Sequence, residues 1–235
     1  MLRINIVTIF PEFFTGPLGL SIPARAAGAG AVEYRVVDLR DFTHDRHRSV
    51  DDYPYGGGPG MVMTPGPFFE AVASLGATSP IVLMSARGRR FSQRDAVRFA
   101  EGSELTLLCG HYKDVDQRVA DHLATEELSL GDFVLTGGEP AALAIVDATV
   151  RLLPGAMSDH ESAYTDSFWE AAHLSAPSYT RPPEYQGHRV PDVLLSGNHA
   201  EIARWRAAEA DRLSRQRRAA DESANGGGGG QGSQP

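Results

Sequence analysis

The chain has 235 residues, of which 42% are hydrophobic and 22% charged, with a formal net charge of -8 and one cysteine. This is the make-up of a soluble globular protein of one large or two small domains. It excludes an intrachain disulfide, and the acidic balance argues against indiscriminate nucleic-acid binding.

Taken in order, Ile4–Phe10 is apolar and β-branched and predicts a buried strand. Its context, MLRINIVTIFPEF, has neither the long apolar core nor the small-residue cleavage site of a signal peptide. No run in the chain reaches the roughly 20 apolar residues of a membrane helix. A cytoplasmic protein without a membrane partner is expected. Pro11 suits the first turn of a helix, and Ala-rich Ser21–Gly28 predicts another that stops at glycine. Val32–Val37 reads as the second strand. Arg40–Gly60 is a long loop, polar first and then glycine-rich (YGGGPG), and loops of that length inside a compact domain usually serve function.

Pro67–Leu75 is helical by period, Ile81–Met84 is the third strand and Ser85–Gly88 its loop. Ser92 caps a helix through about Glu101. Leu105–Cys109 is the fourth strand, followed by a helix over Val115–Leu123 and a short last strand at Phe133–Leu135. Pro140–Leu153 is an apolar helix that Pro154-Gly155 stops. Ala156–Pro177 is polar and irregular, Pro182, Pro183 and Pro191 keep the chain extended, and Asn198–Arg218 has an amphipathic helical pattern. A disordered tail is expected from about Asp221, through the run Gly226–Gly230. Strands alternating with helices predict an α/β fold with a mostly parallel sheet and helices on both faces.

Three strand ends run into small polar loops: Ser85–Gly88, Gly110–Tyr112 and Thr136–Glu139. Open α/β sheets build ligand crevices from such loops, where glycines let the backbone approach a ligand closely. A single glycine pair is most simply a tight turn; three such loops favour a binding site. No GxGxxG follows the first strand, which disfavours a dinucleotide enzyme. Cys109 ends an apolar run and reads as a buried small hydrophobe rather than a nucleophile. Basic residues cluster at Arg40–Arg48, at Arg87, Arg89 and Arg90, and at Arg204–Arg218. Each is an ordinary solvated face when taken alone; together, on an acidic chain, they suggest a polyanion held at one place.

Four long stretches carry a resemblance: RDFTHDRHRSVDDYPYGGGPGMVM (Arg40–Met63), CGHYKDVDQRV (Cys109–Val119), SLGDFVLTGGE (Ser129–Glu139) and VLLSGNHAEIARWR (Val193–Arg206). They resemble, in the same order, the signatures of the bacterial tRNA (guanine-N1)-methyltransferases of the TrmD type. The likeness runs from about Ile4 to Arg206. It implies the SPOUT class, a sheet with a C-terminal trefoil knot around Ser85, Gly110 and Leu130–Gly138, a topology that sequence reasoning would otherwise discard as rare. It also implies a homodimer with sites at the subunit interface. On this reading, residues 1–156 form the methyltransferase domain and 157–176 a flexible linker. Residues 177–220 form a small helical tRNA-binding domain, and 221–235 the tail.

The implied reaction moves a methyl group from S-adenosylmethionine to N1 of the guanine at tRNA position 37, next to the anticodon. Neutral guanine holds a proton on N1, so a general base must remove it, and charge that spreads to O6 needs a donor. The resemblance assigns Asp166 as the base and Arg151 as the partner of O6. On residue type alone, these are an exposed loop carboxylate and a cation at a helix C-terminus. The implied donor contacts are Leu83, Met84, Ser85, Gly110, Tyr112, Leu130, Gly131, Phe133, Leu135, Gly137 and Gly138. Arg40, His44, Arg46, Asp51, Tyr55, Gly58, Pro59 and Gly60 are the candidate tRNA contacts, and no metal site is expected. Ser158–Ser175 is expected to order only over bound RNA. Asn198 and His199 either touch phosphate or, for Asn198, cap the last helix. Many relatives read CGRYEGIDERV where this chain has His111, Lys113, Asp114 and Gln117. Two other readings stand beside this one. A related knotted methyltransferase acting on another RNA position would not need the Arg151–Asp166 pair. A non-catalytic adenosine-ligand-binding domain would keep the glycine loops and tolerate loss of Asp166.

Overall fold

The computed structural model describes residues 1–78, 80–157, 166–169 and 173–226. The chain forms two compact units, Met1–His160 and Glu161–Pro235. In the first, a five-stranded sheet is built from β1 (Leu2–Thr8), β2 (Val32–Asp38), β5 (Ile81–Arg90), β6 (Glu104–Cys109) and β8 (Glu126–Ser129). Their order is β2-β1-β6-β5-β8, and every pairing is parallel. The predicted parallel α/β sheet is therefore present.

Alternation along the strands explains why both faces are covered. Val82 and Met84 of β5, with Leu105, Leu107 and Cys109 of β6, point into one core. That core is closed by α1 (Glu12–Leu18), α2 (Ser21–Gly28), α4 (Gln93–Ala100) and α6 (Glu139–Val150) through Phe14, Ala26, Phe99 and Ile145. Ile81 and Leu83 of β5, with Leu108 of β6, point the other way. There α3 (Pro65–Leu75) and α5 (Gln117–His122) bury Phe68, Val72 and Val119. Period-two strands with apolar residues on both faces are what a sheet buried on two sides requires.

Two expected elements differ. The last strand is Glu126–Ser129, not Phe133–Leu135. It lies at the sheet edge, where Glu126 faces the guanidinium groups of Arg89 and Arg98 at 2.6 and 2.7 Å, so a charged start is tolerated. Phe133–Leu135 is irregular and exposed, Val134 by 90%. Secondly, Ser85–Gly88 falls inside β5 rather than after it. The ladder nevertheless breaks there: Leu128 pairs with Met84 and again with Arg89, so the four residues between make an excursion. The long loop after β2 also has structure. A 3-10 turn (Leu39–Phe42) leads to β3 (Asp51–Asp52), which pairs antiparallel with β4 (Val62–Met63). β4 pairs in turn with β7 (Asp114–Val115), giving a small second sheet.

In the second unit, Leu174 donates its N–H to Ser214 Oγ (2.8 Å), and Arg217 lies 4.9 Å over the Phe168 ring. A hairpin pairs Glu184–Tyr185 with His188–Arg189. Its two central residues, Gln186 and Gly187, both have positive φ, as a two-residue turn that follows strand twist demands. A short helix, α7 (Asp192–Leu195), precedes α8 (His199–Gly226). The helical pattern of Asn198–Arg218 thus continues to Gly226, past the expected start of the tail at Asp221; 227–235 lie outside the described residues. The segment Ser158–Ser175 does so in part, at 158–165 and 170–172.

One ionic cluster ties three elements of the first unit together. Ser92 and Asp95 form the capping box of α4, with Ser92 N and Oγ both donating to Asp95 Oδ2 (2.9 and 2.8 Å). Arg89 of β5 grips both oxygens of Asp95 (2.9 and 2.6 Å) and also reaches Glu126 of β8. Burial opposes ionisation of Asp95, but the hydrogen bonds from Arg89 and Ser92 outweigh it and hold the carboxyl well below the usual carboxylate range. A depressed carboxyl contributes stability that is complete above its unfolded value of about 3.9 and is lost as pH falls below it. Asp95→Asn should destabilise by about 1–3 kcal/mol at pH 7. In urea unfolding followed by circular dichroism, the gap from wild type should shrink between pH 6 and pH 3.

Candidate active site

The carboxyl ends of β5, β6 and β8 surround a cavity of about 220 Å³. Crevices of this kind lie at the carboxyl edge of parallel sheets because the connecting loops splay apart there. All eleven residues that the resemblance assigns to a methyl donor line this one cavity. Leu83, Met84 and Ser85 come from β5, Gly110 and Tyr112 from the loop after β6, and Leu130, Gly131, Phe133, Leu135, Gly137 and Gly138 from the segment between β8 and α6.

The cavity exists because three backbones approach closely. Gly138 donates its N–H to the carbonyl of Gly110 (2.7 Å). A Cβ on Gly138 would lie 2.9 Å from both Cys109 Cα and Met84 Cβ, so only glycine fits. His111 and Gly137 form an isolated antiparallel bridge, and a Cβ on Gly137 would collide with Glu139 Oε2 and His111 Nδ1.

Beneath this lies a buried polar group that sequence reasoning did not single out. Glu139, 3% exposed, begins α6 and accepts a hydrogen bond from Thr8 Oγ1 (2.8 Å). A carboxylate there is offset by the hydroxyl and by the positive end of the helix. Its other oxygen faces His111 Nδ1 at 3.7 Å, a buried nitrogen with no hydrogen-bond partner among the described residues. The His111 ring packs edge-on to Phe10 and Tyr112 (5.0 and 5.3 Å) and lines the cavity. The signal for Glu139 was present in the sequence, a carboxylate directly after Gly-Gly at a helix start, but not its burial. Cys109 is fully buried; desolvation first, and then the charge of Glu139, push its thiol well above the ordinary range. That leaves it the small hydrophobe expected of it.

At the mouth, Arg87 and Asp114 form an ion pair at 3.1 Å. The backbone N–H of Lys113 donates to the Met61 carbonyl (3.1 Å), so the cavity loop and the glycine-rich loop are joined through β4 and β7.

None of the eight candidate tRNA contacts lines the cavity. Asp51 pairs with Met63 in the small sheet, and Gly58 and Gly60 adopt positive φ beside Lys113. Pro59 and Arg46 are exposed, and Tyr55 is fully so. Arg40 sits in the 3-10 turn, where its carbonyl accepts from Thr43 Oγ1 (2.8 Å), and His44 pairs with Glu70 at 2.8 Å. Arg151 is the C-cap residue of α6 in the first unit, with Nη2 3.8 Å from Met157 Sδ. Asp166 belongs to the second unit, where it lines a groove with Tyr179, Arg181 and Arg206. Asn198 Oδ1 accepts from Glu201 N (3.3 Å), which is the capping role.

The cavity suits an adenosine-type ligand. Apolar walls from Leu83, Leu130 and Leu135 meet the pair Gly137 and Gly138, which packs too closely on His111, Met84 and Cys109 to carry side chains. Among the described residues, no cluster of three or more His, Cys, Asp or Glu side chains is arranged to hold a metal ion, and no helix is long and apolar enough to cross a membrane.

Comparison with known proteins agrees with this architecture. Residues 2–230 match the family model described as tRNA (Guanine-1)-methyltransferase TrmD. Proteins described as tRNA (guanine-N(1)-)-methyltransferase in Bacillus cereus (strain AH820), Bacillus anthracis (strain CDC 684 / NRRL 3495) and Bacillus thuringiensis subsp. konkukian are each 49% identical over 221 residues. These alignments cover 92% of this chain and 90% of each relative.

Gly138→Ala should overpack the contact with the ends of β5 and β6 at a cost of about 1–3 kcal/mol, lowering the melting temperature by about 2–10 °C. A ligand that occupies the cavity should stabilise the wild type and not this variant; calorimetry of both proteins with and without S-adenosylhomocysteine as the probe measures it.

Proposed function

The chain belongs to the tRNA (guanine-1)-methyltransferase family, and from that premise we propose that it methylates N1 of the guanine at tRNA position 37, next to the anticodon, with S-adenosylmethionine as donor. The observation that carries this reading is the glycine-floored cavity at the carboxyl ends of β5, β6 and β8, lined by all eleven residues the family pattern assigns to the donor. When bound there, S-adenosylmethionine supplies an electrophilic methyl group on a sulfonium.

The chain's own residues must then solve two problems. A carboxylate has to take the N1 proton, and Asp166 fills that role. A fixed cation has to hold the charge that develops at O6. Arg151 fills that role, because a guanidinium presents directed donors and does not deprotonate. The apolar side chains that line the cavity would lower the local dielectric and strengthen these electrostatic effects. Tyr55, Gly58, Pro59 and Gly60, with Asp51 behind them, would receive the target nucleotide. Arg40, His44, Arg46 and the arginines of the second unit would hold the RNA backbone.

The same reading includes a trefoil knot around Ser85, Gly110 and Leu130–Gly138. The four-residue excursion of β5 and the bond from Gly138 to Gly110 are the local features that support it. It also includes a homodimer with sites at the subunit interface, a tRNA-binding role for the second unit, and a cytoplasmic location.

Incubation of the purified protein with unmodified tRNA and S-adenosylmethionine, followed by nucleoside analysis, should yield 1-methylguanosine. A tRNA with adenine at position 37 should stay unmodified; methylation of it would favour another RNA target. Asp166→Asn should keep donor affinity within about twofold and slow transfer by about 10²–10⁴. Transfer at the wild-type rate would show that Asp166 is not the base.

A further inference from the structure

Of the 22 lysines and arginines in this chain, only one is a lysine, Lys113. Wherever else the chain places a permanent cation, it uses a guanidinium. The one ammonium lies on the loop that closes the cavity, in a position the functional reading leaves without a task.

Its surroundings define what it serves. Lys113 is exposed and lines the mouth of the cavity. Its stem lies along Gly60, where a Cβ would sit 3.2 Å from Lys113 Cβ and 3.5 Å from its Cδ. The ammonium ends over Gly58, 3.6 Å from where that residue's Cβ would be. Both glycines have positive φ, so the backbone there is shaped to leave a channel for an unbranched side chain. A single nitrogen on a methylene stem fits such a channel, and the planar fork of an arginine is a different shape.

The other exposed charges at the mouth, Arg87 and Asp114, are paired with each other, and His111 faces Glu139. Among the described residues, no carboxylate lies within 4.0 Å of the Lys113 nitrogen. An exposed cation held in place with no internal counter-ion is matched to an anion that arrives with a ligand. The ammonium ends over Gly58 of the glycine-rich loop, a residue that does not line the cavity. It therefore faces whatever crosses that loop rather than a small molecule seated among the leucines.

We propose that Lys113 is an RNA-binding residue that contacts a backbone phosphate of the nucleotide strand entering over Gly58–Gly60, beside the target base. The proposal rests on the reading above that the cavity holds the methyl donor and the glycine-rich loop receives RNA. A phosphate contact made by one lysine releases close to one counter-ion, so it contributes about 0.7–0.9 to the slope of log affinity against log salt.

The test uses the full chain and a synthetic anticodon stem-loop with guanine at position 37, titrated from 50 to 300 mM NaCl in the presence of S-adenosylhomocysteine. Lys113→Gln should weaken RNA binding about tenfold at low salt and reduce the slope by about 0.7–0.9. S-adenosylhomocysteine affinity should stay within about twofold, and Lys113→Arg should recover the slope. An unchanged slope, or a tenfold loss of S-adenosylhomocysteine affinity, overturns the proposal. The wild type offers a readout free of any substitution. Reductive methylation with ¹³C-formaldehyde labels only Lys113 and the N-terminal amine. The stem-loop should shift the lysine resonance and S-adenosylhomocysteine alone should not; the reverse pattern overturns the proposal. If the wild type binds neither ligand, the functional reading itself fails, and this failure is separate from a normal binder whose salt slope ignores Lys113.

Discussion

The 2.7 Å contact between the Gly138 amide and the Gly110 carbonyl sets the geometry on which the rest of the first unit depends. It brings the segment that precedes α6 down onto the ends of β5 and β6, between Cys109 and Met84, with no room for a side chain. Once that segment is seated, Gly137 passes over the Glu139–His111 pair, and Phe133–Leu135 are left to wall a cavity instead of joining the sheet. The exposed apolar residues of that loop follow from the same constraint. They cannot be buried in the core, because the chain that carries them is committed to crossing the strand ends.

Glu139 shows how support for a site can lie below it. Its carboxylate is out of solvent, held by Thr8 from the first strand of the sheet and placed at the start of α6. Its second oxygen faces the buried Nδ1 of His111, whose ring borders the cavity. The first strand, which contributes no residue to the cavity lining, is in this way part of the construction.

Much of the architecture was legible because local chemistry and global packing agree. Ser21–Gly28 has the predicted bounds, Ser92 caps α4, and the alternation of strands with helices announces a sheet covered on both faces. What was not legible depended on partners distant in sequence. Glu126–Ser129 starts with two carboxylates and looks like loop until Arg89 and Arg98 are placed beside it. Phe133–Leu135 has strand composition and is kept out of the sheet by the glycines after it. Ser85–Gly88 reads as a loop that ends the strand, but it is a break in register inside β5, after which the chain returns to the same neighbour, Leu128. Within the site, the clustering of the three glycine loops could be anticipated. The burial of Glu139 and the path of the Lys113 stem required coordinates, since neither is encoded in spacing along the chain.

The small sheet of β3, β4 and β7 has a mechanical consequence. It splices the glycine-rich loop to the rim of the cavity through paired backbone rather than through side chains. Lifting one therefore strains the other, and filling the cavity stiffens the rim to which the loop is stitched. Whatever free energy a ligand in the cavity contributes to holding that loop still, a ligand on the loop must return to the cavity in equal measure.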